Sequence, residues 1–360
     1  MRIIHIVRAK NWGGGERYAL DLVNRSVENG DDVTVVSRGL PAIDERFRNV
    51  GAEMCKMPLG GVADFMSPWK LARLAESFPD EKIIIHVHNF KDAEIAARAK
   101  RLISNKKRVN LVCTRHLVKS GKTGLRWRNI YSGIDNLIFV SELAKREFLK
   151  TSPEIDKSKV SVVANSIVLP DEYSEAKARD VDRAEKICLF VGRLDPEKGL
   201  DVLIKAMAKL SRGRYRLRIV GTGKDDYLKE LQRSVAEEGI EDIVEWEGFR
   251  DDVFKEIGEA DICVAPSVGR ESFGLTILEY MSQCRPVVTT SNGAQREILT
   301  DGCDGMLVEP GSVDALAHAI QTLADDARLR NRMAQAAYDK FRLRFSYDVF
   351  FKKIYAIYNS

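Results

Sequence analysis

The chain has 360 residues, of which 44% are hydrophobic and 31% charged, and its formal net charge is +4. This composition excludes a largely disordered chain, and the length predicts two domains of roughly 150 to 200 residues each. No apolar run approaches the ~20 residues that a membrane span needs. The first apolar run, in MRIIHIVRAK, is too short for a signal peptide and predicts a strand, so we expect a cytoplasmic protein.

The six cysteines form no Cys-x-x-Cys pair, and several lie in apolar, strand-like runs. Cysteines in such runs are usually buried, so we predict free thiols rather than disulfides or a metal site. They are Cys55, Cys113, Cys188, Cys263, Cys284 and Cys303.

Short apolar runs alternate with longer amphipathic segments along the chain. This alternation predicts α/β domains with parallel sheets that helices cover on both faces. The predicted strands are Ile3 to Val7, Val33 to Val36, Ile83 to Val87, Val109 to Cys113, Leu137 to Val140 and Val160 to Val163 in a first series, then Ile187 to Val191, Leu217 to Val220, Ile243 to Trp246, Ile262 to Ala265, Pro286 to Thr289 and Met306 to Val308.

The polar segment between the two series shows no apolar periodicity and predicts a linker. We expect an N-terminal Rossmann-like domain over 1–170, the linker over 171–185 and a second Rossmann-like domain over 186–345. The aromatic-rich end, 346–360, is predicted to be a helix that packs back on the N-terminal domain. Two doubly wound domains leave a cleft between them, and ligands bind beyond the carboxyl ends of the strands.

The segment from Ala265 to Val288, APSVGRESFGLTILEYMSQCRPVV, runs from a strand through a loop into an amphipathic helix that begins near Gly274. The start of a helix offers free backbone N–H groups and a positive dipole end, which suit a diphosphate. Glu279 falls in the early turns, where it can accept hydrogen bonds from a ribose diol, and Glu271 precedes the helix. The alternative is a capped helix on a surface loop.

In ESFGLTILE the chain resembles the family 4 glycosyltransferases, whose signature is E-x-F-G-x-x-x-x-E. The resemblance implies the GT-B fold, two doubly wound domains facing a central cleft, and sugar transfer from a nucleoside-diphosphate sugar of the UDP or GDP type. It implies that Glu279 holds the ribose and Glu271 lies near the sugar. Ser272, Phe273, Gly274, Leu275 and Thr276 fall between these glutamates, and the last four would offer backbone groups to the sugar and diphosphate.

The segment GRLDPEKG, at the end of an earlier strand, supports the same resemblance. Arg193 and Lys198 can neutralise a leaving diphosphate, although cations in a loop are usually solvated. Gly221, in GTG after a strand, is explained equally well by a tight turn. Phe249 and Arg250 resemble the family's loop against the nucleotide base, with an ordinary surface loop as the alternative.

Three glycines after the first strand, Gly13, Gly14 and Gly15, suit either close approach to a phosphate or a tight turn. In the family, a Gly-Gly loop here lines the cleft. The pattern is not G-x-G-x-x-G, which disfavours dinucleotide binding. His116 follows another strand, and the resemblance places it near the sugar and the reacting centre.

His86 and His88, in IIIHVHNF, lie on one face of a predicted strand. With no third ligand apparent, we expect no metal site there. The resemblance implies catalytic roles for His116, Glu271, Arg193 and Lys198, and donor contacts from Gly14, Gly15, Arg193, Lys198, Gly221, Phe249, Ser272, Phe273, Gly274, Leu275, Thr276 and Glu279.

The resemblance also implies retention of the anomeric configuration. No nucleophile for a double displacement is evident, so a same-face mechanism is expected, in which the leaving diphosphate helps to deprotonate the acceptor. We expect neither a cofactor nor a metal, because the one Asp-x-Asp, Asp180 to Asp182, lies in the predicted linker. The expected acceptor is a glycan or a lipid-linked molecule, in the synthesis of cell-surface polysaccharide or glycolipid.

From Ile95 to Ile134 the chain holds eleven Lys or Arg and no Asp or Glu. Such a stretch suits an anionic membrane, nucleic acid or a phosphorylated substrate, and equally a solvated face balanced by acids elsewhere. Our hypothesis is peripheral docking on the inner face of an anionic membrane rather than nucleic-acid binding, with Trp127 either inserted at the interface or in the core. The alternatives for the whole chain are a nucleotide-sugar epimerase of GT-B type and a non-catalytic sugar-nucleotide binding protein.

Overall fold

A computed structural model describes residues 1–9, 12–60, 64–78, 82–178, 183–211 and 213–360, without the side chain of Lys107. Asp180 and Asp182 therefore lie outside the described residues. Contacts divide the chain into a first unit, Met1–Ala164 with Asp348–Ser360, and a second unit, Asn165–Tyr347. The division falls six residues before the end of the predicted N-terminal domain, and residues 171–178 of the predicted linker belong to the second unit.

The first unit holds a seven-stranded parallel sheet in the order β3-β2-β1-β4-β5-β6-β7. The central strands are apolar and buried, as a sheet covered on both faces requires. The strands are β1 Arg2–Ile6, β2 Asp32–Ser37, β3 Glu53–Lys56, β4 Ile83–Val87, β5 Val109–Arg115, β6 Asn136–Phe139 and β7 Val160–Val162, and the helices are α1 Gly14–Glu28, α2 Pro41–Asn49, α3 Met66–Glu76, α4 Phe90–Leu102, α5 Leu125–Gly133 and α6 Glu142–Leu149.

The second unit holds a six-stranded parallel sheet in the order β10-β9-β8-β11-β12-β13. Its core comes from the strands and from the apolar faces of α7, α8 and α12. The strands are β8 Lys186–Val191, β9 Tyr215–Val220, β10 Val244–Gly248, β11 Ile262–Ala265, β12 Val287–Thr290 and β13 Met306–Val308, and the helices are α7 Leu200–Ala208, α8 Asp225–Glu237, α9 Val253–Glu259, α10 Leu275–Ser282, α11 Gln295–Ile298, α12 Val313–Asp325 and α13 Ala327–Lys340.

The last helix, α14 Tyr347–Asn359, packs in the first unit from Asp348 onward. Arg25 of α1 donates to Asp348 at 2.6 Å, and the buried Tyr358 hydroxyl lies 2.6 Å from His86 Nδ1 of β4. These contacts tie the end of the chain to the sheet formed by its beginning.

Each sheet has one topological switch point, where the strand order reverses. In the first unit it lies between β1 and β4, and in the second between β8 and β11. The loops that leave two such neighbouring strands diverge to opposite faces, so a crevice opens at their carboxyl ends. The two loop pairs are where we locate the candidate sites.

The cysteines are all free, and four of them are buried, as predicted. Cys55 is half-buried and Cys303 exposed, against the expectation of burial. Cys303 follows the turn after α11, outside any strand, so no sheet covers it.

Candidate functional site

The switch point of the second unit is built from the loops after β8 and β11, which pack backbone against backbone. The amides of Val268 and Gly269 both donate to the Glu197 carbonyl at 2.9 Å. Gly199 has φ 69°, and a Cβ there would lie 2.2 Å from the Pro266 carbonyl oxygen. Only glycine satisfies both conditions, so the two loops hold each other in a fixed position.

This packing brings Lys198 and Glu271 together. Lys198 Nζ lies 2.6 Å from Glu271 Oε1, and the Ser267 hydroxyl donates to the same oxygen at 2.8 Å. Both charged side chains are partly exposed. A cation and a carboxylate therefore stand side by side at the mouth of the crevice, where the predicted phosphate and sugar contacts would meet.

Arg193 lies in the same loop but is not part of this cluster. Its side chain is 71% exposed, and Nε is 3.6 Å from Asp195 Oδ2. An exposed guanidinium on a loop can reorient at little cost, so its predicted phosphate contact stays a prediction.

Gly274 ends the loop and starts α10. Its φ of 116° is left-handed, and the helix begins at Leu275 with its first N–H groups facing outward from the helix end. Thr276 and Glu279 are half-buried in the first two turns, and the side chain of Phe273 is buried 6.2 Å from the Phe345 ring. Phe273 thus anchors the loop through its ring and leaves its backbone for other contacts.

A third loop, after β12, braces the Glu271 loop and was not predicted. Asn292 Nδ2 donates to the Val268 carbonyl at 2.7 Å, and the Ala294 amide donates to the Glu271 carbonyl at 3.1 Å. A Cβ on Gly293 would lie 2.7 Å from the Glu271 backbone. The sequence signal was the polar run SNG directly after a strand, a pattern that by itself indicates only a turn.

The remaining donor predictions lie at the ends of the neighbouring strands. A Cβ on Gly221 would lie 1.8 Å from the Gly192 carbonyl oxygen, so packing of β8 and β9 already requires this glycine. Phe249, after β10, is 69% exposed. Arg250 forms ion pairs with Glu247 and Glu256, which supports the surface-loop alternative for Arg250.

The loops at the switch point of the first unit carry a group of histidines and a buried ion pair, with Arg8 Nη1 3.8 Å from Asp92 Oδ1. Gly13 caps α1, Gly14 and Gly15 form its first turn, and a Cβ on Gly15 would lie 4.0 Å from His116 Cδ2. The structure therefore brings the glycine turn and His116 together.

Four histidines cluster here, because β1 lies beside β4. The His88 ring stacks near His86 and His116, with centroid distances of 4.6 and 6.0 Å, and His5 Nδ1 is 3.2 Å from His88 Nε2. The sequence showed no third ligand beside His86 and His88, and the structure brings one to them, His5. Potential ligand atoms of His5, His86 and His88 all lie within 4.8 Å of one another, because β1, distant in sequence, supplies His5.

Burial keeps this cluster neutral. Desolvation lowers the pKa of His5 to about 3 and that of His116 to about 4, and it holds the pKa values of His86 and His88 well below the ordinary value. Since these rings carry no charge near neutral pH, they can exchange hydrogen bonds or donate a lone pair.

Acids elsewhere in the fold neutralise part of the basic stretch. Within it, for example, Lys100 pairs with Asp135, Arg126 with Glu94 and Arg128 with Glu154. Arg108 and Arg115 donate to backbone carbonyls. The alternative of a balanced face therefore holds for these residues.

Trp127 is half-buried and packs against the core of the first unit. Its ring lies 6.0 Å from both Phe90 and Tyr131, which favours the core alternative for Trp127. Exposed apolar side chains lie instead at the start of α3, where Phe65 is 74% and Trp69 52% exposed and Met66 lies between them.

Two parallel-sheet, Rossmann-like domains in one chain are the architecture of the GT-B class, to which comparison with known proteins adds the activity. The chain matches the family model "Glycosyltransferase Family 4" over residues 12–169 and "Glycosyl transferases group 1" over residues 173–340. It is a glycosyltransferase and belongs to family 4.

Relatives match along nearly the whole chain. The lipopolysaccharide core biosynthesis glycosyltransferase LpsE of Rhizobium meliloti is 25% identical over 96% of this chain and 95% of its own. The D-inositol 3-phosphate glycosyltransferase of Corynebacterium glutamicum is 26% identical over 96% and 91%.

Solved structures show the same fold. Anabaena HepE, in complex with UDP and glucose, matches with a TM-score of 0.80 and 21% identity over both full chains. A Rickettsia africae glycosyltransferase matches with a TM-score of 0.85 and 20% identity over 99% of this chain and 97% of its own. In the described part of the chain, no helix combines the length and apolar character needed to cross a membrane.

Proposed function

We propose that this glycosyltransferase takes its sugar from a nucleoside-diphosphate sugar bound at the switch point of the second unit, and transfers it with retention of configuration. The observation that carries the proposal is the Lys198–Glu271 pair, 2.6 Å apart beside the start of α10. The cation and the helix N–H groups suit a diphosphate, and the carboxylate suits sugar hydroxyls. HepE, which shares the fold, was solved with UDP, so a UDP sugar is the first donor to test.

The proposed roles follow from position. Lys198 and Arg193 stabilise the charge that develops on the diphosphate as its bond to the anomeric carbon breaks. Glu279, in the second turn of α10, accepts hydrogen bonds from the ribose. The backbone from Ser272 to Thr276 contacts sugar and phosphate, Gly221 lies near the diphosphate, and Phe249 contacts the base.

The chemistry proposed is a same-face displacement. The acceptor oxygen bonds to the anomeric carbon on the face that the diphosphate leaves, and a diphosphate oxygen takes the acceptor proton. This route needs positioning and charge stabilisation but no protein nucleophile. His116, whose ring is neutral and adjacent to Gly15, is assigned to the sugar and acceptor in the first unit, with Gly14 and Gly15 presenting backbone.

The proposed acceptor is a glycan or lipid-linked molecule of cell-surface synthesis, which relatives named for lipopolysaccharide core and phosphatidyl-myo-inositol support. An anionic membrane surface would bring such an acceptor to the chain. Residues 95–134 supply the basic face, and the neighbouring start of α3 supplies Phe65, Met66 and Trp69. Apolar side chains beside cations are typical of membrane-surface binding at the cytoplasmic face.

The membrane proposal is tested by flotation with vesicles of anionic or neutral lipid. We expect binding to anionic vesicles at low salt, and a several-fold loss in Trp69→Ala but not in Trp127→Phe, which changes a core ring. No binding of the wild-type protein at low salt would contradict the proposal.

The donor proposal is tested by a thermal-shift screen against UDP, GDP and ADP sugars, followed by incubation of the best donor with and without a lipid-extract acceptor. We expect acceptor-dependent sugar transfer and a product with the donor's anomeric configuration. Turnover of the sugar with donor alone would indicate an epimerase, and binding without turnover would indicate a sugar-nucleotide binding protein.

A further inference from the structure

The chain has five histidines, and four of them lie at the switch point of the first unit. The fifth, His318, is exposed on α12 of the second unit. The donor chemistry proposed above uses none of His5, His86 and His88, although each is placed with a ring nitrogen facing another member of the cluster or a hydroxyl group. Their role therefore needs a separate physical reason.

Distances within the cluster fit a metal ion. Around a tetrahedral zinc ion with bonds of about 2.0 to 2.1 Å, two nitrogen ligands lie roughly 3.3 Å apart. His5 Nδ1 and His88 Nε2 lie 3.2 Å apart, and a ring nitrogen of His86 lies within 4.8 Å of both. A small rotation of the third ring completes a three-histidine set.

The cluster also lacks partners that a folded interior normally supplies. His5 Nε2, His88 Nδ1 and His116 Nε2 are buried without a hydrogen-bond partner among the described residues. His5 Nε2 and His88 Nδ1 lie on the opposite side of their rings from the 3.2 Å pair, so in the metal-bound tautomers they would carry the N–H groups. Buried polar atoms are nearly always satisfied, so these N–H groups point to ordered water.

His86 also has the hydrogen bonds that would orient it as a metal ligand. The Tyr358 hydroxyl lies 2.6 Å from His86 Nδ1, and the Thr114 hydroxyl lies 2.8 Å from Nε2. A metal-bound histidine commonly keeps such a hydrogen bond on its other nitrogen, which sets the ring orientation. If Nε2 turns from Thr114 to an ion, Tyr358 still holds the ring.

We propose that His5, His86 and His88 form a site for a transition-metal ion of the zinc class. Imidazole ligands suit zinc, nickel or copper rather than magnesium or calcium. The ion would join β1 to β4 and, through Tyr358, the closing helix α14, so its effect is on the stability of the first unit.

The test uses the full chain without a histidine tag, stripped with a chelator and dialysed against Zn²⁺ or Mg²⁺. We expect about one zinc and no magnesium per chain by elemental analysis, and a Tm raised by several degrees with zinc. Substitution with Co²⁺ should give the visible absorption bands of a low-coordinate histidine site.

Single substitutions test whether the zinc binds at the three histidines. We expect His88→Ala to lose the bound zinc, the cobalt bands and the zinc-dependent rise in Tm, while His318→Ala, the matched control, keeps all three. His88 is half-buried and follows its strand, so the variant is checked for native circular dichroism before it is compared. Wild-type protein that holds no zinc after dialysis, or a folded His88→Ala that binds as much as wild type, would overturn the proposal.

Discussion

The two switch points have the same topology but differ in how deeply their polar groups are buried. In the second unit a lysine and a glutamate meet at 2.6 Å, and both are partly open to solvent. In the first unit four histidine rings stack in the interior, and desolvation keeps them neutral. The fold thus places a crevice in each unit, while the side chains decide whether it can receive a charged group.

The two crevices also differ in how they are held. The loops of the second unit are locked backbone to backbone, through the Glu197 carbonyl and through glycines that tolerate no Cβ. In the first unit, a Cβ added to Gly15 would lie 4.0 Å from His116 Cδ2, which is an ordinary contact distance. The rigid crevice of the second unit suits the proposed diphosphate, whose structure is constant. The less constrained crevice of the first unit suits the proposed acceptor, which varies between relatives.

The largest effect is expected from removing Lys198 at the switch point of the second unit. Lys198→Ala removes the cation beside the proposed leaving group, so we expect kcat to fall about 100- to 1000-fold, as for loss of one stabilising donor. Lys205→Ala, an exposed lysine on α7, is the control and should leave kcat unchanged. A change below about threefold in Lys198→Ala would remove this residue from the chemistry.

The affinity for the donor tests the role of Glu279, on α10 of the same crevice. Glu279→Ala removes the proposed ribose acceptor, and hydrogen bonds to a charged group contribute about 1.5 to 3 kcal/mol, so we expect Kd for the nucleotide sugar to rise about 10- to 100-fold. Isothermal calorimetry measures this, with Glu238→Ala at the exposed end of α8 as the control. Unchanged affinity would locate the ribose elsewhere.

The buried switch point of the first unit is tested through Asp92, which is buried on α4 with Arg8 Nη1 at 3.8 Å. Desolvation, partly offset by the hydrogen bond from Asn89, raises the pKa of Asp92 to about 7. Because the folded pKa exceeds the unfolded one, this contribution to stability is full below the ordinary pKa near 3.8 and is lost as pH rises toward 7.

We therefore expect the free energy of unfolding of the wild type to fall by about 4 kcal/mol between pH 4 and pH 8 on account of this group. Asp92→Asn keeps an acceptor for Asn89 but cannot ionise. Its free energy of unfolding, measured by urea denaturation, should therefore lack this decrease with pH. An identical pH profile in both proteins would show that Asp92 is ionised throughout.

The smallest effect concerns glycine. Gly15→Ala adds a Cβ at 4.0 Å from His116 and should change the free energy of unfolding by less than about 1 kcal/mol while raising KM for the acceptor. Gly199→Ala, at φ 69° and 2.2 Å from a carbonyl oxygen, should destabilise by more than that. Equal effects in thermal unfolding would contradict the difference in rigidity between the two crevices.

Most strands follow from local pattern. β4, β11 and β13 have the predicted bounds, since each is a short and mostly apolar run bounded by polar residues, glycine or proline. β3 was missed because EMCK is a polar edge strand with no apolar run. The linker was predicted too long, because residues 171–178, which look polar in sequence, pack on the second unit through Ala176 and Ala178.

Sequence alone determined the family and the two-sheet architecture, and it predicted the donor residues from Glu271 to Glu279, because these depend on contiguous motifs and on the local period of apolar residues. Only the tertiary structure decided that Lys198 pairs with Glu271, that Asn292 supports that loop, and that His5 joins His86 and His88. Each of these contacts depends on which strands become neighbours in the sheet. Strand order arises from the packing of the whole unit, so residues 73 or 83 positions apart meet without any local sign of it.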